Sequence, residues 1–257
     1  MQALMMNSQL MISSILKHAE RNFPDVEMVS VTVDNPRHRQ NYKTFGKRCR
    51  LLVNVLESLG AKLGDRIGTL AWNDYRHMEL YYAVSGSGMV CHTINPRLFP
   101  EQVAYIINHA ENKILFVDIL VMPLLEALKE HLAKVETVVV LSDRAHMPDS
   151  SLPNVLCYEE LLEAQSDDYE WPEFDENTAS GMCYTSGTTG NPKGVVYSHR
   201  STVLHALAGA LPDVTGASNM QTSLPVVPMF HVNAWGAPYA ALMVGTKLVL
   251  PGPKMAD

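Results

Sequence analysis

"YTSGTTGNPKGV", residues Tyr184 to Val195, decides the reading of this chain. Its twelve positions hold three glycines, one lysine and, besides the tyrosine, four hydroxyl residues: Thr185, Ser186, Thr188 and Thr189. The apolar run Ser180–Tyr184 reads as a short strand that ends where the glycines begin, and a β-like run follows. Gly187 and Gly190 permit positive φ and let a backbone approach a ligand closely. Successive amide N–H groups in such a turn make a concave anion site. The hydroxyls add donors, Lys193 adds a point charge, and Pro192 stiffens its approach. A triphosphate suits this equipment. It is not a Walker loop, which needs glycine, four residues and then Gly-Lys-Ser/Thr, and no Rossmann GxGxxG is present. A merely solvated Ser/Gly loop is the bland alternative, and the ordered mixture of residue types argues against it.

Outward from the loop, short apolar strands alternate with helical patterns. Met28–Val33 reads as a strand, and "DNPRHRQN" after it as an exposed turn. Thr44 is placed to cap a helix running to Leu59, with Gly60 as its stop. Then come strand Arg66–Trp72, helix Tyr75–Ser85, strand Met89–Ile94, helix Pro100–His109, strand Ile114–Val117, helix Pro123–His131 and strand Thr137–Leu141. Strand–helix–strand at this spacing predicts an α/β fold with mainly parallel sheets covered by helices. Ser142–Asn177 is polar and proline-dotted, with one short helix near Tyr158–Ala164, and reads as a surface connection. The expected division is 1–175 as the α/β region and 176–257 as the region of the loop and its adjoining pocket.

With 257 residues, 47% of them hydrophobic, the chain can bury a full core. Net charge is −7 and no long basic block is present, so nucleic acid is excluded as a main partner. Cys49, Cys91, Cys157 and Cys183 form no CxxC pair and read as reduced core thiols, which fits a cytoplasmic protein. The start, "MQALMMNSQLMISSILKHAERNFPD", lacks a basic n-region and reads as an amphipathic first helix. HExxH and GxSxG are absent, and the histidines and cysteines show no metal-ligand spacing. His199 and His205 read as structural or surface residues.

The loop resembles the phosphate-binding signature of the AMP-forming, adenylate-forming enzymes, which include the acyl-CoA synthetases. A second segment, "PMFHVNAWG" (Pro228–Gly236), resembles the family motif that borders the adenylate and the acyl pocket. Its continuation "APYAALMVGTKLVLPGP" is similar to the medium- and long-chain fatty acyl branch. "NPRLFPEQVAYIINHAENKILFVD" extends the resemblance more weakly. Carried over by position, the resemblance implies that Thr185 contacts Mg2+. It implies that Ser186, Gly187, Thr188, Thr189, Gly190 and Lys193 cradle the β- and γ-phosphates of ATP. His231, Val232 and Trp235 would lie where nucleotide meets acyl chain, and the catalytic roles would fall to Lys193, Thr185 and His231. On its own, His231 would read as a hydrogen-bonded core histidine and Trp235 as core packing. The implied reaction is activation of a fatty acid to an acyl-adenylate and then an acyl-CoA, with coenzyme A as co-substrate. The resemblance also admits a homodimer and peripheral membrane contact.

The sequence departs from the family pattern. The later YGxTE-like motif, the acidic residue completing the magnesium site, the ribose-binding aspartate and the C-terminal domain with its lysine are not in these 257 residues. The expectation is therefore the N-terminal part of a larger ligase, inactive by itself. The alternatives are a short non-catalytic protein that binds nucleotide or self-associates, and a ligase for an aryl or amino acid.

Overall fold

A computed structural model of the protein describes residues 1, 5–185 and 190–256. In chain order its first elements are α1 (Ile12–Asn22), β1 (Glu27–Ser30), β2 (His38–Asn41) and α2 (Tyr42–Ser58). Regular alternation follows: β3 (Arg66–Leu70), α3 (Tyr75–Gly86), β4 (Val90–Thr93), α4 (Pro100–His109), β5 (Ile114–Val117), α5 (Met122–Leu128) and β6 (Thr137–Val140). Then come β7 (Val155–Cys157), α6 (Tyr158–Glu163), β8 (Ala179–Thr185), β9 (Lys193–Ser198), α7 (His199–Gly209), β10 (Thr222–Ser223), α8 (Ala237–Val244) and β11 (Lys247–Leu250).

One sheet has the order β7-β6-β5-β3-β4-β8-β9 and is parallel except for β9, which returns antiparallel to β8. A second has the order β10-β11-β1-β2, with β2 antiparallel to β1. The expected mainly parallel, helix-covered architecture is present. The period-2 rule sorts the central strands between two cores. Ile114, Phe116 and Val139 face α1, α2 and α3, whereas Leu115, Val117, Val138 and Val140 face α4 and α5. All four cysteines are buried and free. No helix among the described residues is long and apolar enough to cross a membrane.

Three local expectations are corrected. "DNPRHRQN" is not simply a turn, because its second half forms β2. That strand is polar throughout, so no apolar alternation marks it; it is held by its ladder to β1 and by Gln40, which donates to Glu79. Asn41, not Thr44, caps α2, its side chain accepting from the Thr44 N–H at 2.9 Å. Within Ser142–Asn177, Val155–Cys157 adds an edge strand against β6.

Helix α3 is buried along all twelve residues, three of which are Arg76, His77 and Glu79. Their partners explain this. Arg76 forks onto both oxygens of Asp34 at 2.9 and 2.7 Å, reaches Glu159 at 2.8 Å and donates to the Leu141 carbonyl. Glu79 accepts from Arg48, Gln40 and the Tyr158 hydroxyl. His77 bridges Thr69 and the Trp72 carbonyl, and its burial lowers its pKa to about 4, which keeps it neutral.

Removing one partner of such a buried cluster strands a charge, at a cost of about 3–5 kcal/mol. Arg76→Ala is therefore expected to lower unfolding stability by that order, read from the urea midpoint.

The acidic groups around α3 divide by sign. Burial opposes ionisation of Asp34, but hydrogen bonds and charge from Arg76 outweigh it and hold the carboxyl at about 2. Its contribution is present above the ordinary 3.8 and is lost as pH falls through about 2. Asp74 and Asp118 behave oppositely, because burial raises them to about 7 and about 6. The folded state then binds protons the unfolded chain has released, so stability declines as pH rises from about 4 to 7. Asp74→Asn keeps the cap on the His77 N–H and removes that charge. The variant should lose less stability than the parent between pH 5 and pH 8, as measured by thermal unfolding; an equal loss would contradict the assignment.

Candidate functional site: a loop mouth beside an apolar cleft

Strands β8 and β9 pair from Ala179–Ser198 to Thr185–Lys193. Directly opposed residues of an antiparallel pair carry their side chains on one face. The Thr185 hydroxyl and the Lys193 ammonium thus share a face at the mouth of the loop. Both residues are exposed, and the Lys193 side chain has no ion pair or hydrogen bond among the described residues. Ser186, Gly187, Thr188 and Thr189 lie outside the described residues. Gly190 has φ +99° with open space around it, so glycine is required there by the backbone angle alone. Gly194 is glycine for a different reason: a Cβ would come within 3.2 Å of the Tyr184 ring. The Tyr184 hydroxyl in turn lies 2.7 Å from His109 Nδ1.

The second motif forms an unusual turn. Val232, Asn233, Ala234 and Trp235 have φ of +47°, +49°, +49° and +54°, and Gly236 follows at +73°. A left-handed turn of L-residues costs about 1–2 kcal/mol per residue, so it persists only where neighbours hold it. The Val232 backbone lies beside the Cys183 thiol on β8, whose pKa burial pushes up. Asn233 lies against Gly181, where a Cβ would meet its amide at 3.3 Å. These contacts bring the two sequence motifs together across β8, two residues from Thr185.

Two clefts flank the turn, and both are lined by His205, Trp235 and Gly236. The larger, about 580 Å³, has mostly apolar walls that include Leu224, Val226, Ala240 and Ala241. The smaller, about 310 Å³, adds Tyr197, Val232 and Tyr239. Trp235 is 65% exposed and stands between them. A concavity of about 810 Å³ beside Met6–Leu10 contains none of the expected site residues.

Sequence reasoning missed three contributors. His205 lines both clefts, with Nδ1 2.7 Å from where a Cβ on Gly236 would sit. Arg97, just beyond β4, places its guanidinium over the Trp72 and Phe230 rings at 5.2 and 5.7 Å. Asn73, at the end of β3, holds the backbone leading into the second motif. None stands in a residue pattern with a known spacing; each is assembled by the topology. His199 is structural, its Nδ1 meeting the Ile12 N–H at 3.2 Å.

For a magnesium ion, Thr185 offers an exposed oxygen, a donor type that hard cations take alongside phosphate oxygens. The one grouping of three His, Asp, Glu or Cys ligands among the described residues, Asp34, Asp143 and His146, does not include it. Arg76 already occupies both Asp34 oxygens.

The family model for the AMP-binding enzymes matches residues 16–257. The chain belongs to the AMP-binding enzyme family. It is 52% identical over 251 residues to a 3-methylmercaptopropionyl-CoA ligase of Ruegeria lacuscaerulensis, covering 98% of this chain and 47% of that protein. It is 51% identical to a medium-chain-fatty-acid–CoA ligase of Ectopseudomonas oleovorans, covering 98% of this chain and 46% of that one. The chain thus spans about half the length of the curated relatives it matches. An anthranilate CoA ligase bound to anthranoyl-AMP shares the fold, with a TM-score of 0.82 at 22% identity over 97% of this chain and 46% of that one.

If the turn is strained as its angles imply, residue size at Ala234 should order stability. Ala234→Gly relieves the left-handed cost, offset in part by unfolded-chain entropy of about 0.5–1 kcal/mol. Ala234→Val adds a β-branch where φ is positive. The expected order of urea midpoints is Gly at or above Ala, with Val lowest; a Val variant as stable as the parent would refute the strain.

Proposed function

We propose that this chain is the nucleotide- and acyl-binding part of an AMP-forming acyl-CoA ligase, acting on a fatty or similarly apolar carboxylic acid. One observation carries the reading. The Thr185–Lys193 pair opens a phosphate-type loop at the carboxyl edge of a parallel sheet, where ligands gather in open α/β folds, and the turn that packs on the same strand through Asn233 carries Trp235, a wall of an apolar cleft. In this reading residues 1–175 supply the scaffold, and residues 176–257 supply the loop and acyl pocket. The two relatives above are named for a medium-chain fatty acid and for a thioether-containing propionate. The mostly apolar cleft supports an aliphatic acid over an amino acid.

The reaction needs no protein nucleophile. The substrate carboxylate attacks the α-phosphorus of ATP, the bond to the β,γ-unit breaks, and pyrophosphate departs with the electron pair. The coenzyme A thiol then displaces AMP from the acyl carbon and loses its proton. Catalysis of the first step is alignment plus neutralisation of growing negative charge. Lys193 supplies a fixed positive charge at the loop mouth, and Ser186, Gly187, Thr188, Thr189 and Gly190 supply N–H and O–H donors. Thr185 would hold magnesium, whose chemistry when bound is charge neutralisation at the phosphates. His231 and Val232 border the junction of nucleotide and acid, and Trp235 forms the wall along the acyl chain. Arg97, its guanidinium free of a carboxylate among the described residues, offers a cation to an anionic reactant. The buried free thiols favour a reducing compartment such as the cytoplasm.

In the complete ligase, Lys193→Ala and Thr185→Ala are expected to cut carboxylate-dependent ATP–pyrophosphate exchange by about 10²–10³, the size of losing one transition-state charge partner. Thermal stability should hardly change, since both side chains are exposed. Trp235→Ala should alter the ratio of activities on short and long acids. Exchange that survives in both loop variants would remove the phosphate-cradle assignment.

A further inference from the structure

Asn73 is fully buried, and each side-chain atom able to hydrogen-bond is used on a single stretch of backbone. Its Nδ2 donates to the Pro225 and Val227 carbonyls, each at 2.9 Å, and its Oδ1 accepts from the Met229 N–H at 2.6 Å. Its own carbonyl accepts from the Gly252 N–H at 2.8 Å. Gly252 must be glycine for that approach, because a Cβ there would sit 1.9 Å from the Val31 carbonyl oxygen. Tyr81, on α3, reinforces the same stretch: its hydroxyl donates to the Met229 carbonyl and lies 3.4 Å from Asn233 Oδ1. Asn73 lies in the link between β3, the central strand of the main sheet, and the buried helix α3, which carries Tyr81. The stretch they grip leads through His231 into the left-handed turn that carries Trp235, and the large cleft takes Leu224–Val227 as one wall and Trp235 as another.

We infer that Asn73 is a positioning residue: by gripping Pro225–Met229 it sets the left-handed turn and therefore the place of Trp235 between the two clefts. Three buried hydrogen bonds are comparable in size to the cost of a few left-handed residues. Releasing them lets the turn relax toward other backbone states without unfolding the sheet. The consequence for acyl selection rests on the ligase reading above; the placement of Trp235 does not.

The test labels the whole chain with 5-fluorotryptophan and follows the three tryptophan resonances by fluorine NMR, with Trp235 assigned from Trp235→Phe. Asn73→Ala is expected to shift the Trp235 resonance or split it, leaving Trp171 in place. The control is Asn112→Ala, which removes an equally buried asparagine bound to His92 and the Arg66 carbonyl. It should lower stability and leave Trp235 unmoved. Asn73→Asp keeps the native acceptor and gains a donor only when protonated, so its Trp235 resonance should return toward the parent position as pH is lowered. A Trp235 resonance unmoved by Asn73→Ala, or moved equally by Asn112→Ala, overturns the inference. Absence of pyrophosphate exchange in the complete parent ligase would defeat the ligase reading instead, and would not alter the fluorine result.

Discussion

The structure turns on Arg76. Its guanidinium, 2% exposed, joins the loop after β1 through Asp34, helix α6 through Glu159, and the end of β6 through the Leu141 carbonyl. It thereby fastens the loop after β1 of the smaller sheet to the end of β6 of the larger. Arg48 extends the cluster by bridging Glu79 and Glu159. Two cations face three carboxylates (Arg48 and Arg76 against Asp34, Glu79 and Glu159), a set whose desolvation is tolerated because nearly every oxygen has a donor. A well-packed apolar cluster could match it in stability. What the ionic version adds is direction: each fork fits one partner, so α3 is fixed in rotation as well as in depth.

That rotation reaches the site. Asp74 caps α3 and Asn73 immediately precedes it, while Tyr81 sits two turns along. With α3 fixed, both clamps on Pro225–Asn233 are fixed as well. The left-handed turn beyond them stores local strain that the clamps and β8 offset. A right-handed turn in the same place would send Trp235 elsewhere and leave the wall between the clefts unbuilt. The strain is thus tied to where one indole must stand, rather than to chemistry at the turn itself.

The parts of this arrangement that could be read from sequence are those written in local periodicity. Helix Pro100–His109 and strand Ile114–Val117 emerge at the boundaries expected from their apolar pattern, with Pro100 opening the helix. Strand β2 escaped because "HRQN" has no apolar face, and its stability comes from a partner strand and a buried glutamate 39 positions away. Thr185, Lys193, His231, Val232 and Trp235 could be named because they sit in two contiguous motifs. Asn73, Arg97 and His205 could not, since what marks them is the company they keep across 25 to 179 positions of chain. The left-handed angles at Val232–Trp235 were equally hidden: the only glycine in that run comes at its end, and bulky residues at positive φ contradict local preference.

The two halves of the candidate site are held in opposite ways. The wall is clamped from below by buried hydrogen bonds with sequence separations above 140. The loop is carried by one hairpin whose outer strand, β9, is an edge with four of its six residues exposed. Few buried contacts oppose local rearrangement at such an edge, and segments that admit and release ligands are drawn from this low-stability end of a fold. An apolar chain is selected by shape, which demands a wall that does not yield. A polyphosphate is bound by charge and many N–H groups, which tolerate adjustment as the ligand arrives and pyrophosphate leaves. Under the proposed ligase reading, the unequal anchoring of Trp235 and Lys193 is what those two tasks would require of the chain.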